Sequence, residues 1–174
     1  SYRSLNDYEW CDKIVINTEI QDVFISQVLE PKQETNFKSK LTLLKEINNE
    51  ISSKVRDQYE SNPYPRWIKL GLPLRPSRIS KVINNFNLKL FDYRVKKVEA
   101  PNILIAGCGT GQETIETAAR FKDSKVIAID LSLSSLAYAK RKTQELGIEN
   151  IEYMQADILD LNKLDKKFDI ILSG

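Results

Sequence analysis

The chain has no histidine, two cysteines, one methionine and six glycines in 174 residues. It also lacks any apolar run near the roughly 20 residues that a membrane-spanning helix needs. Without histidine, Ser-His and Cys-His nucleophilic pairs and histidine metal ligands are excluded from this chain. Cys11 and Cys108 make neither a disulfide framework nor a zinc spacing, so no metal site is expected and a reducing, cytoplasmic setting is. Cys108 reads as a small residue filling a turn rather than as a catalytic thiol. A strong excess of one charge is missing too: 26 Lys and Arg stand against 24 Asp and Glu, a net +2 that does not mark a nucleic-acid partner. Arg66, Trp67, Lys69, Arg75 and Arg78 come nearest to the mixed cation and aromatic pattern of a nucleic-acid groove. The runs Lys140-Arg141-Lys142 and Lys163, Lys166 and Lys167 are expected on solvent faces.

Half of the scarce glycine is spent in five residues, Gly107-Cys108-Gly109-Thr110-Gly111. The preceding Asn102-Ile-Leu-Ile-Ala106 is too short for a helix and has no polar face, as suits a strand buried on both sides of a parallel sheet. The glycines let the backbone turn sharply and approach a ligand that a Cβ would push away. Gln112 to Phe121 then sets Ile115, Ala118 and Ala119 on one helical face. A second apolar run, Lys125 to Ile129, ends in Asp130, nineteen positions after Gly111. A third, Ile151 to Gln155, ends in Ala156-Asp157, and a fourth, Phe168 to Leu172, in Ser173-Gly174. Open α/β sheets bind ligands at the carboxyl ends of their strands, where the strand order reverses.

From Asn102 to Gly174 these motifs, in this order and spacing, resemble the first half of a class I S-adenosylmethionine-dependent methyltransferase. The resemblance implies an α/β, Rossmann-like doubly wound parallel sheet, of which the chain holds the first four strands, preceded by a helical N-terminal segment. It implies S-adenosyl-L-methionine as cofactor, bound by Gly107, Cys108, Gly109, Gly111, Asp130, Leu131, Asp157 and Ile158. In that scheme the glycines pass under the methionine end, Asp130 accepts the ribose hydroxyls, and Asp157 with the Ile158 amide meets the adenine edge. The physical fit is direct, since the cofactor has no phosphate and carries a sulfonium cation. A dinucleotide fingerprint needs glycine at the sixth turn position, where this chain has Gln112. Two plainer uses stay open: a tight turn without ligand for the glycines, and helix N-caps for Asp130 and Asp157. Class I methyltransferases have seven strands, so the chain is expected to be an incomplete portion, inactive alone, with most acceptor-site residues outside it.

Residues 1–100 read as a helical N-terminal or cap segment and residues 101–174 as the cofactor-binding half. A helix is predicted over 22–30, stopped by Pro31, and a longer one over 37–60, where Leu44, Ile47, Ile51, Val55 and Tyr59 form a stripe. Pro63 and Pro65 end it. Ser77 is predicted to cap a short helix bearing Ile79, Val82, Ile83 and Phe86, closed by Asn84, Asn85 and Asn87. Gln58 to Trp67 resembles the region ahead of the cofactor turn in methyltransferases fused to tetratricopeptide repeats, which implies such repeats upstream in the parent protein. There Tyr59, Tyr64 or Arg66 would face the transferred methyl, or else the segment is a proline-fixed turn packing Tyr and Trp on the sheet. Tyr59 and Glu60 are candidates for a base by location only. The expected activity is methyl transfer by direct displacement to a protein or small molecule rather than nucleic acid, with no membrane involvement. A nicotinamide-dependent oxidoreductase and a non-catalytic nucleotide-binding or scaffold module are the alternatives.

Overall fold

Five parallel strands make the sheet among the residues that the computed structural model describes, 4–86, 89–90 and 92–174. They are β1 (Thr42–Leu43), β2 (Asn102–Ala106), β3 (Lys125–Asp130), β4 (Ile151–Gln155) and β5 (Ile170–Ser173), in the order β1-β4-β3-β2-β5. From β2 the chain winds outward through β3 and β4, then returns to place β5 on the other side of β2, so the order reverses at β2. β2, β3 and β4 alternate their side chains between two buried faces, as period two requires. Ile103, Ile105, Val126, Ala128, Ile151 and Tyr153 meet Ile115, Leu136 and Ala139 of α5 (Gln112–Arg120) and α6 (Leu133–Glu145). On the other face Leu104, Ala106, Ile127, Ile129 and Met154 pack under Leu164, with Leu44, Leu161 and Phe168 partly covering them.

Four apolar runs predicted four strands, and β1 is the addition. It lies inside the region 37–60 that the periodicity assigns to one helix. Instead α2 (Glu30–Lys38) stops, Thr42 and Leu43 pair with Met154 and Gln155 of β4, and α3 (Glu50–Ser61) starts afresh. Pairing at the sheet edge and burial of Leu44 beneath it outweigh local helix preference. Asn49 then supplies the new N-cap, its Oδ1 accepting the Ile51 and Ser52 amides at 3.0 Å each. Pro31 does not end a helix either. α1 (Gln21–Phe24) runs into a π-helical segment (Ile25–Leu29) and on into α2, with Pro31 in the first turn of α2. The wider π turn accommodates the residue that lacks an N–H.

Ser77 is not a helix cap. Its backbone bridges to the end of α5, donating to the Arg120 carbonyl at 2.7 Å and accepting from the Lys122 amide at 3.0 Å, and Arg78 takes the cap position of α4 (Ile79–Asn85). Ile79, Val82 and Ile83 are buried while Phe86 is exposed; Asn87 lies outside the described residues. The basic run on α6 also departs from expectation: Arg141 and Lys142 are buried, at 2% and 8% exposure. α2 packs against α6 and brings Glu34 Oε1 to 3.0 Å from Arg141 Nε and Glu30 Oε1 to 3.1 Å from its Nη1. Glu145 also pairs with this guanidinium, and together the three carboxylates hold its pKa above the ordinary arginine value despite burial. Lys163, Lys166 and Lys167 are exposed as expected.

Candidate cofactor site

The register of β2 on β3 pairs Ala106 with Ile129, which sets Gly107 beside Asp130 at the strand tips. The amides of Gly107 and Cys108 both donate to the Ile129 carbonyl at 2.9 Å, so the turn hangs from β3 rather than from its own strand. Gly107, Gly109 and Gly111 have φ of 76°, 50° and 82°, a region that side-chain-bearing residues avoid. They face different neighbours. A Cβ at Gly109 would meet only the Tyr64 carbonyl oxygen, at 4.0 Å, and one at Gly107 only the Gly174 carbonyl oxygen, at 3.5 Å. At Gly111 it would lie 2.6 Å from Ala139 Cβ, so this glycine lets α5 start close against α6.

Asp130 is held by two amides: Gly109 N–H donates to Oδ2 at 2.8 Å and Ser132 N–H to Oδ1 at 2.9 Å. Each carboxylate oxygen keeps a lone pair. Burial pushes its pKa above the ordinary 3.8, against the pull of the Ser132, Gly109 and Leu131 amides, and the charge of Glu60 adds to the rise. Asp130 is not the cap of α6; Ser132 is, accepting the Ser135 amide at 3.1 Å. Cys108 is buried, and burial together with the Asp130 charge holds its thiol well above the usual range, which suits a filler and not a nucleophile.

Above this floor lies a cavity of about 510 Å³. Of the expected set, Gly107, Cys108, Gly109, Asp130, Leu131 and Ile158 line it. Gly111 faces α6 instead, and Asp157 is 4% exposed, its Oδ1 accepting the Leu159 amide at 3.0 Å as the cap of a 3-10 turn (Ile158–Lys163). Val55 and Tyr59 of α3, with Tyr64 and Pro65, form the facing wall. The segment carrying that wall is fastened to the glycine turn: Thr110 Oγ1 donates to the Pro65 carbonyl at 2.7 Å, and Trp67 Nε1 to the Thr110 carbonyl at 3.1 Å. The residues of Gln58 to Trp67 take different places. Trp67 packs in the core, whereas Tyr59 and Tyr64 stand at the cavity. Arg66 does neither; it reaches both oxygens of Glu34 at 3.0 Å and stacks on Tyr138.

Glu60 is not placed as a free base. Its Oε2 accepts from Ser132 Oγ at 3.0 Å and the Ser134 amide at 2.9 Å, and its Oε1 from Lys38 Nζ at 2.9 Å. Burial raises its pKa, but the Ser134 amide, Lys38 and the Ser134 hydroxyl outweigh burial and hold it below 4.5. No spacing in the sequence linked Glu60 to serines more than seventy residues away.

The donor set suits an adenosyl sulfonium. Two oxygens with spare lone pairs can accept a vicinal diol, bare backbone floors the crevice, and its charged lining residues are the acids Asp130 and Glu113. A parallel sheet whose order reverses at β2, with a crevice at that point and an acid on the next strand tip, defines a Rossmann-like α/β fold. The comparisons narrow the class. Residues 103–174 match the family model described as a methyltransferase domain. The chain is 27% identical over 167 residues to the release factor glutamine methyltransferase of Fusobacterium nucleatum, covering 88% of this chain and 46% of that protein. It is 27% identical over 117 residues to the fatty-acid O-methyltransferase of Mycolicibacterium smegmatis, covering 66% and 39%. The solved structure of PKMT2 from Rickettsia typhi in complex with AdoHcy has 31% identity over 43% of this chain and 14% of that one, with a TM-score of 0.40. The chain thus spans less than half the length of these relatives. Residues 103–174 are thus similar to methyltransferase domains. Among the described residues no helix is long and apolar enough to cross a membrane.

Proposed function

We propose that the chain carries the cofactor-binding half of a working S-adenosylmethionine-dependent methyltransferase, residues 101–174, under a cap formed by residues 1–100. The observation that carries this reading is the Asp130 carboxylate, fixed by the Gly109 and Ser132 amides at the crevice with one lone pair free on each oxygen. These lone pairs take the ribose hydroxyls. Gly107, Cys108 and Gly109 form the floor, Leu131 and Ile158 flank the adenosine, and the Ile158 amide, first in its 3-10 turn, is left to donate to the adenine edge. Asp157 serves by holding that turn, and Gly111 by seating α5.

When bound, the cofactor supplies an electrophilic methyl on a sulfonium and leaves as a neutral thioether. The protein's work is then positioning, for which well-oriented groups gain several kcal/mol. Tyr59 and Tyr64, which line the cavity, would face an acceptor. Asp130 and Glu113 repel an approaching phosphate backbone, which favours a protein or small-molecule acceptor over nucleic acid. The relatives' names span a protein glutamine, a fatty acid and the amine of coclaurine, so family alone does not choose the acceptor. The likeness of Gln58 to Trp67 extends the reading to a parent protein with upstream tetratricopeptide repeats, and two buried, unpaired cysteines fit a cytoplasmic location.

Titration calorimetry of the chain with S-adenosylhomocysteine and, separately, NAD tests the reading. Micromolar binding of the first, lost in Asp130→Ala, is expected. Binding of NAD instead, or S-adenosylhomocysteine binding indifferent to Asp130→Ala, refutes it.

A further inference from the structure

Glu60 lies outside residues 103–174, on the last turn of α3, yet its carboxylate sits on the N-terminus of α6. An acid there satisfies orphan amides and complements the helix dipole. The contacts continue beyond the cap. Ser132, whose hydroxyl is 3.0 Å from Glu60 Oε2, donates its amide to Asp130 Oδ1, and Asp130 Oδ2 accepts from Gly109. One connected path therefore runs from α3 to the crevice floor. The same helix presents Val55 and Tyr59, one residue before Glu60, as the opposite wall. Lys38 Nζ at 2.9 Å, itself 2.5 Å from Ser134 Oγ, closes the ion pair from α2.

We propose that Glu60 is a positioning residue for the cofactor site, holding the α6 N-terminus and the Val55–Tyr59 wall in one geometry around Asp130. This rests on the methyltransferase reading above. Glu60 does not touch the cofactor; it fixes the residues that do. A simple helix-capping role differs in its consequences, because it would lower stability without altering the Gly109 amide or the affinity of the folded chain for S-adenosylhomocysteine.

The test compares wild type, Glu60→Gln and Glu60→Ala in two measurements. The first is amide hydrogen exchange by NMR on the ligand-free chain. Both variants are expected to speed exchange at Ser134 and also at Ser132 and Gly109. The second is S-adenosylhomocysteine affinity against pH. Glu60→Ala is expected to bind about tenfold more weakly, as loss of a charge-assisted contact implies, with Glu60→Gln in between because it keeps one acceptor oxygen. Asp130 faces the negative charge of Glu60 and the Cys108 thiol, so removing the former lowers its pKa and moves the acid limb of binding to lower pH in Glu60→Gln. Should Glu60→Ala fail to fold, Glu60→Gln carries both readouts. If wild type does not bind S-adenosylhomocysteine, the methyltransferase reading falls, while exchange at Gly109 still decides the coupling. Unchanged Gly109 exchange in Glu60→Gln, or unchanged affinity and acid limb, overturns the proposal.

Discussion

Gly111→Ala separates packing from ligand contact within one five-residue turn. The added Cβ would lie 2.6 Å from Ala139 Cβ and 3.2 Å from Ala139 Cα, both on α6 and unable to swing aside, and 3.1 Å from the Tyr153 hydroxyl. Tyr153 is pinned by Thr143 Oγ1 at 2.8 Å. Overpacking of this kind costs about 1–3 kcal/mol. A φ of 82° adds the left-handed penalty of a Cβ, about 1–2 kcal/mol. The sum, about 2–5 kcal/mol, is a large share of a typical domain's stability. Gly109→Ala carries only the second term, since its Cβ meets a single atom at 4.0 Å, but it fills the crevice floor. Urea unfolding should therefore show a large drop in midpoint for Gly111→Ala and a small one for Gly109→Ala. S-adenosylhomocysteine titration should rank them in the opposite order, once the folded fraction is taken into account. A Gly111→Ala unfolding free energy within about 0.5 kcal/mol of wild type would refute the packing argument.

Three further outcomes follow from other parts of the molecule. Asp130 must be ionised to accept two hydroxyls, and its raised pKa means that acidification reprotonates it above the ordinary aspartate value of 3.8; affinity for S-adenosylhomocysteine should fall through that pH, and Asp130→Asn should bind weakly without such a limb. Arg141→Ala strands Glu34, itself 9% exposed, with only Arg66, and should cost about 2–4 kcal/mol in urea unfolding, partly recovered by Glu34→Gln; no measurable cost would mean the buried cluster is not holding α2 to α6. Trp67→Phe removes the donor to the Thr110 carbonyl, for a loss of about 1 kcal/mol, and should abolish the blue-edge fluorescence that separates buried Trp67 from the half-exposed Trp10.

The strand, glycine turn, helix and acid from Asn102 to Asp130 were legible because every signal there is local. An apolar run, a change of period and three glycines fall within one unit. β1 was hidden for the converse reason: two residues cannot show a period, and Leu44, Ile47 and Ile51 mimic a helical one across the break. The run Lys140-Arg141-Lys142 looked like solvent surface since its partner Glu34 lies 107 positions away in the chain. The same distance problem concealed Glu60. Within the site, residue type showed that the turn needs glycine, but not which neighbour each glycine serves. That depends on where α6 passes, a tertiary fact.

The Ile129 carbonyl, which receives both the Gly107 and Cys108 amides, has a geometric consequence. The glycine turn and the Asp130 carboxylate are then suspended from consecutive residues of one strand, 129 and 130. The span between those two points is therefore fixed by a single peptide unit, whatever packs around the entrance.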